Sequence, residues 1–213
     1  MDFLPEDIEA YSERFTTEEN EILRALNRHT HTKVLQPRML AGHLQGRFIS
    51  MLSHMIKPKT VLEIGTYTGY SSLCWAEGLA AGGKVHTLEL NDELETTIRL
   101  FHEKAQKQDV IELHIGHAME IIPSIKGEFD VVFIDADKEN YINYYHAVMD
   151  RVPSGGYIIA DNVLWSGKVT MPVNEMDHDT RVLYDYAMLI QQDERVENIL
   201  LPIRDGLLIA RKK

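Results

Sequence analysis

The stretch TVLEIGTYTGYSS, residues 60–72, decides the fold that the sequence predicts. Its first five residues, Thr60–Ile64, indicate a short β-strand. The segment GTYTG at residues 65–69 then favours a glycine-rich turn that lets the backbone approach a ligand closely. A helix through about Leu79 follows, so the stretch predicts one strand–turn–helix unit.

Similar units repeat along most of the chain. Strands are predicted at Thr60–Ile64, Lys84–Leu90, Ile111–Ile115, Asp130–Ile134, Tyr157–Ala160, Val196–Ile203 and Leu207–Arg211. Alternating strands and helices predict an α/β fold, Rossmann-like and doubly wound, with a mostly parallel seven-stranded sheet. The turn at Arg204-Asp205-Gly206 predicts an antiparallel C-terminal hairpin.

The first 55 residues read mostly as helix. Apolar residues from Leu44 to Met55 recur every three or four positions, and Pro37 suits the first turn of that helix. We expect residues 1–55 to form a helical segment that packs on the core and covers the substrate site. Residues 56–213 would then form the catalytic part of a single domain.

Composition excludes several classes of function. The chain has 213 residues, 44% of them hydrophobic, and a formal net charge of −11. That charge repels nucleic acids and anionic membranes, so we expect neither as a partner. The single cysteine, Cys74, permits no intrachain disulfide, and the first residues do not resemble a signal peptide. These features predict a cytoplasmic protein.

Ligands of doubly wound sheets bind beyond the carboxyl ends of the strands. The first strand leads into the turn at residues 65–69, and Glu89 lies near the end of the second, 24 residues after Gly65. An acid at that distance suits the ribose hydroxyls of a nucleoside. Neither the dinucleotide fingerprint nor the phosphate-binding loop is present. An NAD-dependent oxidoreductase is therefore an alternative function, although the sequence lacks the dinucleotide fingerprint that such an enzyme would carry.

Oxygen-bearing side chains follow the fourth and fifth strands. Asp135, Asp137 and Lys138 follow the fourth strand, and Asp161 and Asn162 follow the fifth. Three oxygen donors without sulfur, Asp135, Asp161 and Asn162, suit a hard cation such as Mg²⁺. The alternative is a pair of aspartates that cap helices. The histidine pairs His29/His31 and His114/His117 lack a convincing third ligand, so we expect surface histidines and no zinc site.

Four motifs in the same order and at matching spacing carry a resemblance to a known family: VLEIGTYTGYSS, FDVVFIDADKENY, GGYIIADNVLWSGKV and LLPIRDGLLIARKK. Together they resemble the cation-dependent O-methyltransferases that use S-adenosylmethionine, namely the catechol and caffeoyl-coenzyme A enzymes and their small bacterial relatives. The resemblance runs from about Leu35 to the C-terminus. It implies a class I methyltransferase fold, with S-adenosylmethionine and Mg²⁺, Mn²⁺ or Ca²⁺ as cofactors.

The resemblance also implies roles for individual residues. Those near S-adenosylmethionine would be Glu63, Gly65, Thr66, Tyr67, Gly69, Ser71, Glu89, Ala118, Asp135 and Asp137. The metal would be bound by Asp135, Asp161 and Asn162. Lys138 matches the proposed general base, and Met39, Trp165 and Ser166 would lie beside the substrate.

The implied reaction moves a methyl group from S-adenosylmethionine to a hydroxyl of a metal-chelated catechol, caffeic acid or similar phenylpropanoid. A thioester enzyme of the caffeoyl-coenzyme A type is the first alternative, although the plant enzymes have Asn where Ser166 stands. Remoter alternatives are the oxidoreductase, a nucleic-acid or protein methyltransferase, and a non-catalytic nucleoside-binding module. By analogy with relatives, we expect a homodimer.

Overall fold

The structure, a computed structural model, describes residues 5–213. The helices in this part of the chain are α1 (Glu6–Arg14), α2 (Glu21–Lys33), α3 (Gly42–Ile56), α4 (Tyr70–Trp75), α5 (Glu95–Lys104), α6 (Ala118–Ile121), α7 (Tyr141–Met149) and α8 (His178–Gln192). The strands are β1 (Thr60–Ile64), β2 (Lys84–Glu89), β3 (Ile111–Ile115), β4 (Val131–Ile134), β5 (Tyr157–Asp161), β6 (Val196–Leu201) and β7 (Leu207–Lys212).

All these strands belong to one sheet, in the order β3-β2-β1-β4-β5-β7-β6. Strands β1 to β5 pair in parallel, whereas β7 is antiparallel to both β5 and β6. The predicted mostly parallel α/β sheet with an antiparallel C-terminal hairpin is confirmed. Strand order reverses between β1 and β4, and a crevice opens beyond the carboxyl ends of strands at such a point.

The core lies on both faces of the sheet. All residues of β4 are buried because helices cover it from both sides. Val132 and Ile134 pack with α7 on one face, while Val131 and Phe133 pack with α3 and α4 on the other. None of the helices formed by residues 5–213 is long and apolar enough to cross a membrane.

The N-terminal helices share this core. Leu23 and Leu26 of α2 and Ile49 of α3 belong to the same buried cluster as Trp75 of α4. A side chain at Gly46 would collide with the ring of Tyr70, so the glycine lets the α3 backbone pack directly on α4. The division at residue 55 stays a prediction, and residues 1–4 of the predicted helical segment lie outside the described residues.

Two predicted helix boundaries were wrong. Pro37 begins a separate 3₁₀ turn, Pro37–Met39, because the extended backbone of Leu40 separates it from α3. The helix after the glycine turn ends at Trp75 rather than near Leu79. There the chain passes so close to α3 that a side chain at Gly78 would collide with the backbone of His54.

The histidines are also arranged differently from the sequence-based prediction. Strand pairing places His86 of β2 opposite Glu112 of β3, and His114 lies two residues further along the same face. His86 and His114 are only partly exposed. His114 therefore contacts His86 on the neighbouring strand and Glu112 on its own strand, not His117, and spacing within one segment could not reveal the contact with His86.

Candidate active site

A cleft of about 1630 Å³ opens at the carboxyl ends of β1, β2, β4 and β5. Among the predicted site residues, its walls contain Met39, Gly65, Tyr67, Glu89, Ala118, Asp135, Asp137, Lys138, Asp161, Asn162, Trp165 and Ser166. The structure places the others in the buried layer behind the wall: Glu63, Thr66, Gly69 and Ser71. We call the part formed by residues 63–71 with Glu89 and Ala118 the turn half. The acidic half consists of Asp135, Lys138, Asp161 and Asn162.

Glu89 organises the turn half. Its carboxylate accepts a hydrogen bond from the backbone N–H of Tyr67 at 2.7 Å and another from that of Asn91 at 2.9 Å. Burial raises the pKa of this carboxyl above its ordinary value. Glu89 still lines the cleft, so its remaining lone pairs are available to hydroxyl groups of a ligand.

The glycine turn brings two strand ends close together. Gly65 has a φ of 99°, and a Cβ at this position would collide with the backbone carbonyl of Asp135. Only glycine therefore lets the end of β1 approach the end of β4 this closely. Tyr67 follows, and its hydroxyl donates to the backbone carbonyl of Leu35 at 3.0 Å, which ties the turn to the N-terminal segment.

Glu63 lies beneath the turn rather than in the cleft. It is fully buried, and the Thr87 hydroxyl donates to its Oε2 at 2.5 Å. Its Oε1 has no hydrogen-bond partner in the part of the chain that the structure describes. Burial raises the pKa of this carboxyl to about 8, so the neutral form is favoured at neutral pH.

The acidic half converges on the Lys138 ammonium. Its Nζ donates to Asn162 Oδ1 at 3.0 Å and lies 3.6 Å from Asp135 Oδ1. The Asn162 backbone has a φ of 58°, a left-handed conformation that asparagine tolerates better than most residues. Oxygens from the ends of β4 and β5 thus already surround one positive charge.

Asp161 is buried, although it lines the same cleft. Burial and the nearby charge of Asp135 raise the pKa of its carboxyl. The Gln45 amide donates to its Oδ2 at 2.5 Å, and the guanidinium of Arg204 donates to Gln45 Oε1 at 3.0 Å. Sequence reasoning missed this chain of contacts, since the three residues lie far apart and no local spacing connects them.

A second missed residue is Tyr141. Its hydroxyl donates to the backbone carbonyl of Asp161 at 2.9 Å and accepts a hydrogen bond from Lys138 Nζ at 2.5 Å. Burial raises the pKa of Tyr141 well above its ordinary value, so its hydroxyl stays neutral. Tyr141 therefore holds the Lys138 side chain in place without competing for a cation.

The outer wall carries the predicted substrate residues. The Lys138 ammonium lies 5.7 Å from the centre of the Trp165 ring, within the range of a cation–π contact. Asp205 accepts a hydrogen bond from the backbone N–H of Ser166 at 2.6 Å, which fixes this loop against the C-terminal hairpin. Met39 is 54% exposed on the opposite segment. Trp165, Ser166 and Met39 thus line the same cleft as Lys138.

Asp137 and Ala118 also line the cleft. Tyr144 donates its hydroxyl hydrogen to Asp137 Oδ1 at 2.5 Å, and the Asn140 amide donates to Oδ2. These side-chain bonds fix Asp137 against α7, but its carboxylate accepts no capping hydrogen bond from the backbone of the described residues, so the alternative of a helix cap does not explain this residue. Ala118 begins α6, and its small side chain leaves room beside Gly116.

Comparisons with known proteins agree with this architecture. A family model described as O-methyltransferase matches residues 13–213. Caffeoyl-CoA O-methyltransferase of Petroselinum crispum is 36% identical over 179 residues, which cover 79% of this chain and 74% of that protein. Caffeoyl-CoA O-methyltransferase 5 of Nicotiana tabacum is 35% identical over 179 residues, covering 79% of this chain and 75% of the relative.

Solved structures are similar over almost the whole chain. The Podospora anserina methyltransferase PaMTH1, bound to SAH (S-adenosylhomocysteine), superposes with a TM-score of 0.90 at 27% identity and covers 100% of this chain and 99% of its own. The O-methyltransferase from Bacillus cereus in complex with SAH gives a TM-score of 0.88 at 28% identity and 97% coverage of both chains. With the family match over residues 13–213, these likenesses show that the chain belongs to the O-methyltransferase family.

Proposed function

We propose that this protein transfers a methyl group from S-adenosylmethionine to a hydroxyl of a catechol-type small molecule, with the help of a divalent cation. The observation that carries the proposal is the acidic half of the cleft. It brings together Asp135, Asp161 and Asn162 beside a turn suited to a nucleoside. Catechol and caffeic acid are the acceptors that we expect first.

Several features support S-adenosylmethionine as the donor, which supplies an electrophilic methyl group on a sulfonium. Both structural neighbours described above hold S-adenosylhomocysteine. In this chain, Glu89 is held by two backbone N–H groups and still faces the cleft, as an acceptor for ribose hydroxyls should. The small residues Gly116 and Ala118 leave space for an adenine ring.

The donor set of the acidic half fits a hard divalent cation. Two carboxylates and an amide oxygen are ligands that Mg²⁺ prefers. Asp135 and Asn162 already direct oxygens at the Lys138 ammonium, and a buried Asp161 is costly without a positive neighbour. A cation bound there would favour the ionised form of a phenol whose free pKa is about 10.

Lys138 is the group that we expect to accept the phenol proton. Tyr141 and Asn162 hold its Nζ beside the candidate metal ligands, and the Trp165 ring lies on the cleft wall above it. In its neutral form the amine offers one lone pair toward the cleft, which is what a general base requires. Orientation of the reacting atoms supplies much of the remaining rate enhancement.

A variant of Lys138 tests this role. We expect Lys138→Met to lower kcat about 100-fold or more at neutral pH, the lower end of what a general base contributes. Lys138→Arg is the matched control, since it keeps the charge but cannot act as a base, and it should be equally slow. Full turnover of Lys138→Met would remove the base assignment.

A second acceptor class is favoured by the curated relatives, which are named as caffeoyl-CoA O-methyltransferases. The cleft of about 1630 Å³ exceeds an ordinary small-ligand pocket of roughly 300–1,000 Å³, so it has room for more than one ligand. Ser166 is the position where the plant thioester enzymes have Asn, and this difference favours the free catechol.

One assay decides between the acceptors. Catechol, caffeic acid and caffeoyl-coenzyme A are incubated with S-adenosylmethionine, and methylated product is measured with Mg²⁺ or with EDTA. We expect catechol and caffeic acid to be methylated in the presence of Mg²⁺, and we expect EDTA to abolish this methylation. Faster turnover of the thioester supports the alternative, and product formation that is insensitive to EDTA contradicts the cation. Calorimetric binding of NAD in place of S-adenosylmethionine would favour the oxidoreductase, and donor binding without turnover would favour a binding module.

The proposal includes a homodimer in the cytoplasm. Large apolar side chains on the N-terminal helices are more than half exposed, namely Tyr11, Met51 and Met55, with Phe15 just after α1. Exposed apolar groups of this size suit contact with a second copy. Light scattering after size exclusion tests the assembly, and a mass of 24.5 kDa, that of a single chain, contradicts it.

A further inference from the structure

Three side chains of types that can ligate a metal, His86, Glu112 and His114, converge on one face of β2 and β3, outside the cleft. His86 Nδ1 lies 3.3 Å from His114 Nε2 and 3.5 Å from Glu112 Oε2. His114 Nε2 lies 3.8 Å from Glu112 Oε1. In each pair of side chains, a candidate ligand atom of one therefore lies close to a candidate ligand atom of the other. Hydrogen bonds between β2 and β3 hold the backbone that carries these side chains in place.

These separations suit a single tetrahedral cation. Bonds of about 2.0–2.1 Å to zinc put neighbouring ligand atoms about 3.3 Å apart. Two imidazole nitrogens and one carboxylate oxygen are a donor set that zinc accepts, whereas Mg²⁺ prefers oxygen alone. We propose that His86, Glu112 and His114 bind a divalent transition-metal cation of the zinc class, with a fourth position open to solvent.

The surroundings favour this site over an ordinary surface cluster. The side chains of His86 and His114 are only 15% and 21% exposed, so both imidazoles are held among neighbouring groups and do not extend into solvent. Two cations compete for the same region. Lys84 Nζ lies 3.9 Å from Glu112 Oε2 in a half-exposed pair that is weak in water, and Arg151 lies near His86.

The position of the cluster suggests a structural role. Among residues 5–213, strand β3 is at the edge of the sheet and pairs only with β2. A cation that binds His86 on one strand and Glu112 and His114 on the other would join the edge strand to its neighbour. The site differs from the acidic half in donor chemistry. Zinc should therefore bind the histidine cluster, and Mg²⁺ should bind the acidic half.

The test is a calorimetric titration of EDTA-treated full-length protein with Zn²⁺ in the presence of excess Mg²⁺. We expect one equivalent of Zn²⁺ to bind and to raise the Tm, because binding to the native state stabilises it. His86→Gln and His114→Gln should each weaken the zinc affinity at least about 10-fold, since even outer-shell partners of a metal cost that much. His146→Gln, on the exposed side of α7, is the matched control and should bind like wild type.

Two further variants keep the outcome decisive. Glu112→Gln changes a half-exposed side chain and retains both histidines, so the variant should fold. It should bind zinc more weakly than wild type because it lacks the carboxylate ligand. Asp161→Ala removes a ligand of the acidic half and should leave the zinc equivalent in place. The proposal is overturned if wild type binds no zinc under these conditions, if the histidine variants bind as tightly as wild type, or if Asp161→Ala alone abolishes binding.

Discussion

The two halves of the cleft differ in what holds their acids: backbone N–H groups hold the acid of the turn half, whereas side chains from distant segments support the acid of the acidic half. In the turn half, the backbone N–H groups of Tyr67 and Asn91 hold Glu89. In the acidic half, the Asp161 carboxylate accepts a hydrogen bond from Gln45, 116 residues away. Arg204 lies 159 residues from the Gln45 that it contacts.

This difference has a physical consequence. Backbone donors are present whatever the side chain, so the turn half depends mainly on glycine and on one acid. Side-chain donors disappear with a single substitution, so the acidic half also depends on supporting residues such as Gln45, which is buried outside the cleft lining. Substitutions far from the cleft should therefore impair the acidic half more than the turn half.

The largest effect is expected for Asp161→Ala. If Asp161 is the proposed metal ligand, its loss removes several kcal/mol of charge stabilisation. Each 1.4 kcal/mol or so corresponds to a tenfold change in rate, so kcat/KM for a catechol should fall about 1000-fold. Asp109→Asn, an exposed acid before β3, is the control and should keep wild-type activity. Steady-state kinetics at saturating Mg²⁺ measure both. A variant with near-normal turnover would mean that Asp161 is not a ligand.

Glu89→Gln tests the turn half. A hydrogen bond to a charged group is worth about 1.5–3 kcal/mol, so we expect the affinity for S-adenosylmethionine to fall about 10- to 100-fold. Titration calorimetry measures the change, with the exposed Glu103→Gln as the control. Unchanged affinity would show that Glu89 only holds the turn together.

Gln45→Leu tests whether remote support matters in the acidic half. Leucine keeps the volume but removes the amide that holds Asp161, so we expect about tenfold more Mg²⁺ to be needed for half-maximal activity. At saturating Mg²⁺, kcat should return close to wild type. Gln192→Leu, exposed at the end of α8, is the control. A kcat that stays low at every Mg²⁺ concentration would indicate general damage instead of lost positioning.

The smallest effect concerns Glu63. Burial raises its folded pKa from the ordinary 4.5 to about 8, so the native state keeps the proton where the unfolded state has lost it. The stability that this group contributes is full below about pH 4.5 and is lost as pH rises to about 8. Glu63→Gln cannot ionise, so its Tm relative to wild type should rise across this window. A difference in Tm that does not vary with pH would contradict the shifted pKa.

Much of the fold followed from local patterns. The runs Val131–Ile134 and Thr60–Ile64 are buried strands, and their ends carry the acids and the glycine turn where parallel topology puts ligand sites. Helix starts were harder to predict. Leu40 leaves the helical conformation between Pro37 and α3, and this break depends on how the N-terminal segment packs, not on helix propensity.

The supporting residues could not be predicted from the sequence. Gln45 lies on a helix whose apolar pattern predicts only core packing, and Tyr141 reads as another member of an apolar helix face. Glu63 resembled a ligand-facing acid, yet strand alternation turns its side chain toward Thr87. The contact of His114 with His86 became visible only when β2 and β3 were paired.

The sequence by itself determined the alternation of strands and helices, the turn at residues 65–69 and the positions of the acids at the strand ends. These features depend on short-range periodicity and on the conformational preferences of glycine, which act within a few residues. Only the tertiary structure decided which side chains support Asp161, how far Glu63 is buried and which residues surround His86. Those properties depend on desolvation and on contacts between distant segments, which no local pattern encodes.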